Sequence, residues 1–394
     1  MKTNPTLEAI EDWLIREALG QPDIGEMFSG FCERLVDAGM PVERAMLTWA
    51  TLHPLVEAES AFWLTGQEAR LSQYRHDDEE TDDWLRSPIR AVLEGRETRL
   101  RRNLAGANAA TDDFPILTTL KADGFTDYLV LSTPFDLPTS KDFGPSGMIV
   151  TWATRTEGGF SDEAVEGLDY LQIRLALACR ATIQSRIART LAETYLGARA
   201  GSRVLSGLIR HGDGERLDAV IFYSDLRGST ALADRLAPDV YMTHLNAYFD
   251  ATARTVMAHG GEVLDFIGDA VLAVFPIEAG GFDAAATRAL QAADAVLARL
   301  EQAQAATEHP LLCGIALSSG DVMFGNIGIP ERLTFSVIGR TVNAAARIEA
   351  MTKTLGRPLL VTADIAARAP QAFAPLGRFR LAGFGEEVEL HAPV

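Results

Sequence analysis

Cysteine is scarce in this 394-residue chain: Cys32, Cys179 and Cys313 are its only three, and none has a partner at metal-ligand spacing. That excludes a disulfide framework and a paired-cysteine zinc motif, and it fits reduced, buried thiols in a cytoplasmic protein. Basic residues are also in deficit. The 36 Lys and Arg stand against 54 Asp and Glu, giving a net charge of −18. Such a balance excludes a broad surface for nucleic acid or anionic lipid, while leaving room for a small basic pocket around one phosphate chain. No uncharged apolar run approaches the roughly 18 residues of a membrane span. The opening MKTNPTLEAIEDWL also lacks the basic-then-apolar order of a signal peptide. The expectation is a cytoplasmic protein without a membrane span. A GxxxxGK[ST] phosphate loop is missing too.

What is present is an ordinary globular composition, 47% hydrophobic and 23% charged. The length suggests two or three domains of about 100–200 residues. Residues 5 to about 70 read as helices, with Leu7, Ile10, Trp13 and Leu14 recurring at spacings of three and four. RHDDEETDDW at 75–84 reads as a solvated acidic loop. Between 88 and 155 short β-like runs appear, TDYLVLST and GMIVTWAT among them. Ser161, a plausible N-cap with Glu163 in the first turn, opens a long helix to about Leu196. Leu168, Leu171, Leu175, Ile183, Ile187 and Leu191 line one side of it. That side suits either a packed domain helix or a dimer-forming connector. The order helix, small mixed sheet, long helix resembles GAF- or PAS-type sensor modules, without a ligand motif to support it.

From Asp218 the texture changes. A strand (AVIFYS) leads into a helix from about Thr230 to His259, then two strands hinged at Gly268-Asp269 and a helix around 283–305. A strand pair (LLCGIALSSG, DVMFGNIG), a helix from near Thr341, and strands near 358–361, 377–381 and 386–391 follow. The expected fold class is α+β: a ferredoxin-like βαββαβ domain with a C-terminal hairpin, preceded by a helical and GAF/PAS-like α+β region. The domains read as 1–160 (sensor-like), 161–214 (helical connector) and 215–394.

Three stretches carry chemistry. In AVIFYSDLRGST a strand ends at Asp225, and Gly228-Ser229-Thr230 opens a helix whose free N–H groups suit phosphate. A carboxylate just ahead is poised for a Mg²⁺ shared with phosphate oxygens, although alone Asp225 reads rather as an ordinary turn or capping residue. In GGEVLDFIGDAVLAVF (260–275), Asp269 sits at a hairpin tip. In a βαββαβ fold the first strand and the hairpin are neighbours, so Asp225 and Asp269 meet at one sheet edge. Two carboxylates there repel unless a cation lies between them, the arrangement used for in-line attack at phosphorus. A Gly-Asp hairpin turn is the plain alternative. In FSVIGRTVNAAARIEAMT, Asn343 and Arg347 are four apart on one helix face. Arg suits charge growing on a transferring phosphoryl group and Asn suits a ribose; a surface ion pair of Arg347 with Glu349 or Glu331 is the alternative.

Together and in order, DLRGST, GGEVLDFIGDAVLAVF, GNIGIPERLTFSVIG and TVNAAARIE resemble the catalytic domain of class III adenylate/guanylate cyclases. Residues 187–215 also resemble the connector of bacterial cyclases that carry an N-terminal sensory region. The resemblance implies two Mg²⁺ or Mn²⁺ ions per site on Asp225 and Asp269, with the Leu226 carbonyl assisting. It implies triphosphate binding by the backbone of Gly228, Ser229 and Thr230, ribose orientation by Asn343 and stabilisation of the pentavalent phosphorus by Arg347. It also implies a homodimer, with metals from one copy and the Asn/Arg helix from the other. The reaction would convert ATP to 3′,5′-cyclic AMP and pyrophosphate.

The chain departs from the family at several points. Adenylate cyclases usually place Lys, donating to adenine N1, where this chain has Asp265, with Ser336 at the second base-contacting position. Guanylate cyclases commonly carry Glu there, so Asp265 has the guanine-type sign one methylene shorter. Ser229 replaces an aromatic residue, and Ala382 in RLAGFGEE stands where a phosphate-binding Lys is expected, with Arg380 or Arg340 as substitutes. The readings are an adenylate cyclase first, a guanylate cyclase second, and a catalytically weak or silent signalling module third.

Overall fold

The computed structural model describes residues 5–20, 22–95, 99–106, 111, 113–135, 147–278, 280–304 and 309–394. It divides into an N-terminal unit, Met1–Leu191, and a C-terminal unit, Ala192–Val394.

The N-terminal unit opens with α1 (Pro5–Leu19) and α2 (Ile24–Asp37). The Asp23 carboxylate caps α2 by accepting from the N–H groups of Gly25 and Glu26. Beyond α2 the helical expectation is overturned. The chain is extended in β1 (Arg44–Ala50), β2 (Val56–Leu64) and β3 (Arg70–Arg75). β2 is buried on both faces, so its apolar residues fall on both and its period of two is hard to tell from a helix, while the edge strand β3 is exposed throughout. Then come α3 (Asp82–Leu85), α4 (Pro88–Leu93), β4 (Arg99–Asn103), α5 (Pro115–Ala122), β5 (Asp127–Pro134) and β6 (Gly147–Thr154). The two strands read at 126–133 and 147–154 are β5 and β6. The sheet is antiparallel with order β3-β2-β1-β6-β5-β4. The acidic stretch after β3 is exposed.

The long helix α6 (Asp162–Leu196) is capped by Ser161, whose hydroxyl accepts from the Ala164 N–H at 3.1 Å. Its Leu168, Leu171, Leu175, Ile183 and Ile187 are buried in one core with Phe28, Phe31, Trp63 and Trp152. The leucine-lined side is therefore used within its own unit. The exposed apolar residues of α6 are instead Ile173, Leu177 and Tyr195.

The C-terminal unit begins with α7 (Ala198–Leu205), β7 (Gly214–Leu226), α8 (Ser229–Ala233), α9 (Pro238–Ala258), β8 (Glu262–Ile267), β9 (Ala270–Pro276) and α10 (Gly281–Gln304). It continues with β10 (Cys313–Ile329), β11 (Arg332–Ile338), α11 (Arg340–Leu355), β12 (Leu359–Thr362), α12 (Ala363–Ala366), β13 (Phe373–Arg380) and β14 (Glu387–Pro393). The sheet runs β13-β14-β12-β10-β7-β9-β8, with β11 paired to β10. Its segment β10-β7-β9-β8 is the ferredoxin-like arrangement, and β13–β14 is the C-terminal hairpin. On one face the alanine-rich side of α10 packs with Tyr248 and Val256 of α9 over Phe222, Val271 and Phe275. On the other, α7 packs on Ala219, Ile221, Leu272 and Val274.

Two expectations are corrected. The helix read from Thr230 to His259 is broken, because Pro238 holds Ala237 extended and starts α9 afresh. The strand pair at 311–328 is the single long strand β10, and its hairpin partner is β11. Gly320 within β10 has φ 153°, and a Cβ there would lie 2.6 Å from Thr341 Oγ1. Glycine thus allows α11 to start against the strand.

Candidate active site

The site grows from the central strand pairing. Asp225, one residue before the end of β7, lies in register with Ala270 of β9 and Gly314 of β10. The β8–β9 hairpin turns at Gly268, with φ 65°, and Asp269. The Leu226 N–H donates to the Asp269 carbonyl at 3.3 Å. Topology thus brings Asp225, Leu226 and Asp269 to one edge.

A third carboxylate joins them. Glu349 of α11 is buried, and a Cβ on Gly314, the cross-strand partner of Asp225, would collide with its Oε1 and with Thr352 Oγ1. Glycine at 314 is what lets α11 lie this close. Arg227 Nη2 donates to Thr352 Oγ1 at 2.7 Å, and the Arg227 N–H holds the Leu312 carbonyl at 2.7 Å. The electrostatics follow. Burial, then the Asp269 carboxylate, then Glu349 push the Asp225 carboxyl up to about 7, opposed by Arg227. Burial also raises Glu349, opposed by Thr352 and Arg227. Acids crowded in this way have unmet demand for positive charge.

Two hard oxygen donors fit Mg²⁺ or Mn²⁺. No cluster of three or more His, Cys, Asp or Glu suited to a metal exists among the described residues. Remaining ligands would therefore be the Leu226 carbonyl, water and phosphate oxygens. Next to this edge Gly228, with φ 75°, precedes the single turn α8, with Ser229 buried and Thr230 exposed. The first N–H groups of that turn have no helical partner.

Asn343 and Arg347 lie elsewhere. Both are exposed, whereas Ala345, Ile348, Glu349 and Thr352 form the buried side of α11. At 100° per residue, Asn343 and Arg347 share an arc well away from Glu349, which faces the aspartates. Arg347 forms no ion pair among the described residues, so the expected alternatives with Glu349 and Glu331 are not realised. The structure does not bring the Asn/Arg pair together with the Asp pair of the same chain.

Asp265 is half-buried on β8, where a bulge between Val263 and Asp265 sets it opposite Leu272. By register it shares a sheet face with Tyr223 and Asp225. Ser336 is on β11 opposite Gly325, and β11 lies beside β8, with Leu264 packed against the cluster holding Phe335 and Val337. Neither side chain has a hydrogen-bond partner among the described residues. Of the substitutes for the missing Lys, Arg340 lies 3.9 Å from Glu386 and stacks 5.1 Å over Phe384, while Arg380 and Ala382 are exposed.

Sequence reasoning missed Arg227 and Glu349. The available signal was an acid at position 349 inside the apolar stripe of Ala345, Ile348 and Thr352. A buried charge there requires a partner, and Arg227 is the one basic residue in the neighbouring DLRGST stretch.

A ferredoxin-like sheet with paired acids beside a phosphate-suited turn defines a nucleotide-handling α+β domain. Residues 214–368 match the family described as the adenylate and guanylate cyclase catalytic domain. The chain is 27% identical over 184 residues to adenylate cyclase 1 of Rhizobium meliloti, covering 45% of this chain and 28% of that protein. It is 32% identical over 183 residues to adenylate cyclase 2 of the same organism, covering 43% of this chain and 48% of that one. Among solved structures it resembles the guanylyl cyclase Cya2, at 28% identity and a TM-score of 0.39, over 46% of this chain and 93% of that one. The chain thus spans less than half the length of these two curated relatives. Residues 214–368 are thus a domain of the adenylate and guanylate cyclase catalytic family. No helix among the described residues is long and apolar enough to cross a membrane.

Proposed function

We propose that the protein is an adenylate cyclase whose sites form between two copies of the chain. The observation that carries this is the division of α11: its buried side faces Asp225 and Asp269, while Asn343 and Arg347 point away, unpartnered, into solvent. A second copy, related by a two-fold axis, can present its Asn/Arg face to the first copy's aspartates, giving two equivalent sites. In each, Asp225, Asp269 and the Leu226 carbonyl hold two Mg²⁺ or Mn²⁺ ions, which when bound lower the ribose hydroxyl's pKa and offset phosphate charge.

The chain's own residues then divide the work. Backbone N–H groups around Gly228–Thr230 hold the triphosphate. Asn343 fixes the ribose so that its 3′-oxygen is in line with the α-phosphorus. Arg347 donates to the α-phosphoryl oxygens as charge develops there. The new O3′–Pα bond forms as the Pα–O bond to the β-phosphate breaks; pyrophosphate departs and the hydroxyl proton passes to solvent. Arg227 and Glu349 are positioning residues that hold the floor beneath Asp225.

A guanine substrate is the second reading, favoured by Asp265, a half-buried acid that has no cation partner among the described residues and can accept from the guanine N1–H and N2–H₂. The test incubates the full chain with ATP, GTP, CTP and UTP in turn, each with Mn²⁺, and identifies the cyclic product. Cyclic AMP with pyrophosphate is expected. Cyclic GMP alone would establish the second reading, and no pyrophosphate from any of the four would overturn catalysis.

A further inference from the structure

The N-terminal unit contains a cavity of about 670 Å³ between its sheet and the helices α4 and α5. That volume is within the range of small-molecule sites. The alternation of β1 turns Arg44, Met46 and Thr48 to the cavity side, while Ala45 and Leu47 join the opposite core and Trp49 borders both. Ile149 and Ile89 extend an apolar lining, and Tyr128 lies on the floor with its phenol held protonated, pushed up to about 12 by burial.

Arg44 is the unusual feature. Arg90, Arg99, Arg101, Arg102, Arg155 and Arg174 of this unit each hold a carboxylate. The Arg44 guanidinium makes no hydrogen bond or ion pair among the described residues and rests 4.9 Å over the Phe62 ring. Burial pulls its pKa below the ordinary value, opposed by Tyr128 and by the Asp123 carboxylate, and an arginine keeps its charge. A partly buried cation whose N–H donors meet no carboxylate, with Asp123 acting on it only from a distance, leaves room for an anionic head at one end of an apolar cavity. The mouth is acidic on balance: Glu57, Asp78, Glu79, Glu80 and Asp83 line it together with Arg75 and Arg86. Polyanions are disfavoured there, nucleoside triphosphates included.

We infer that this cavity binds a small organic monoanion, an apolar body bearing one carboxylate or similar head, with the head on Arg44. This is independent of the catalytic site and of its substrate.

The test uses the full chain and 8-anilinonaphthalene-1-sulfonate as probe, displaced by decanoate, decanol or cyclic AMP. One probe per chain should bind with blue-shifted emission. Decanoate should displace it at concentrations about tenfold or more below decanol, the difference expected of a charged hydrogen bond. Arg44→Met should abolish that preference while leaving decanol unchanged. Ala58→Trp and Ser132→Trp, each placing an indole in the cavity, should abolish probe binding with circular dichroism unchanged. Equal displacement by decanoate and decanol, a preference that survives Arg44→Met, or cyclic AMP competing as well as decanoate would each overturn the inference. Probe binding that persists in both folded Trp variants would do so too. Should neither Trp variant fold, the Arg44→Met comparison still decides it.

Discussion

Replacing Asp225 by Asn should stabilise the metal-free C-terminal unit, and increasingly so as pH rises. The Asp225 carboxyl, ordinarily near 3.8, is held at about 7 by burial, Asp269 and Glu349. Between those values the folded state keeps a proton that the unfolded chain has lost. The folded state thus binds more protons, and stability falls as pH rises from about 4 to 7, staying low above it. The full displacement corresponds to about 4 kcal/mol. The carboxyl is only half-buried, and screening by water reduces this to about 2 kcal/mol. For a unit of this size that is a melting-point gain of about 4–8 °C for Asp225→Asn at pH 8.5 in EDTA. At pH 5 only about a third of the gain should remain, because little of the interval between 3.8 and 7 has been crossed. Calorimetry in EDTA at both pH values measures this. Adding Mn²⁺ at pH 8.5 should raise the wild-type transition and leave the variant's nearly unmoved. A variant less stable than wild type at pH 8.5, or a gap that does not widen with pH, refutes the reasoning.

Arg347→Ala should lower kcat by about 10²–10³-fold. Because Arg347 is exposed and forms no ion pair among the described residues, the variant's stability should stay within about 0.5 kcal/mol of wild type; a large loss of stability would show that it is structural. Asp265→Lys should move the kcat/KM ratio towards ATP over GTP, and an unchanged ratio would mean that residue 265 does not touch the base. In the N-terminal unit, Arg101 donates to the fully buried Asp127 carboxylate at 3.0 and 2.7 Å. Arg101→Met leaves that charge uncompensated and should cost about 3 kcal/mol. Calorimetry should show only the N-terminal transition fall, which also identifies the two transitions; a fall of less than about 1 kcal/mol would contradict the assignment.

The catalytic fold was legible because its signals are local. AVIFYS is a short apolar run that ends at Asp225, AVLAVF one that starts after Gly268-Asp269 and ends at Pro276, and the order of strands and helices then leaves one natural sheet. Asp225 and Asp269 could be placed together because β7 and β9 are neighbours in that sheet. Glu349 and Arg227 were not foreseen, since their roles depend on α11 crossing over Gly314, a close approach that no pattern in either segment announces. The strands at 44–75 were missed for another reason. β2, buried on both faces, loses the polar alternation that marks a strand, Trp49, Phe62 and Trp63 blur it further, and the exposed β3 has no apolar face to announce it. On α6 the leucine spacing gave the helix correctly but not the partner of its apolar side, which proved to be the core of its own unit.

The central claim, that each site draws aspartates from one chain and Asn343 and Arg347 from another, is tested most directly by complementation. Asp225→Asn and Arg347→Ala chains, each inactive alone, are mixed in equal amounts, allowed to exchange subunits, and assayed for cyclic product. Random pairing makes about half of the dimers mixed, each with one intact site of two, so about a quarter of wild-type activity should return. Activity that stays at the level of the separate variants, with exchange confirmed, would contradict the account.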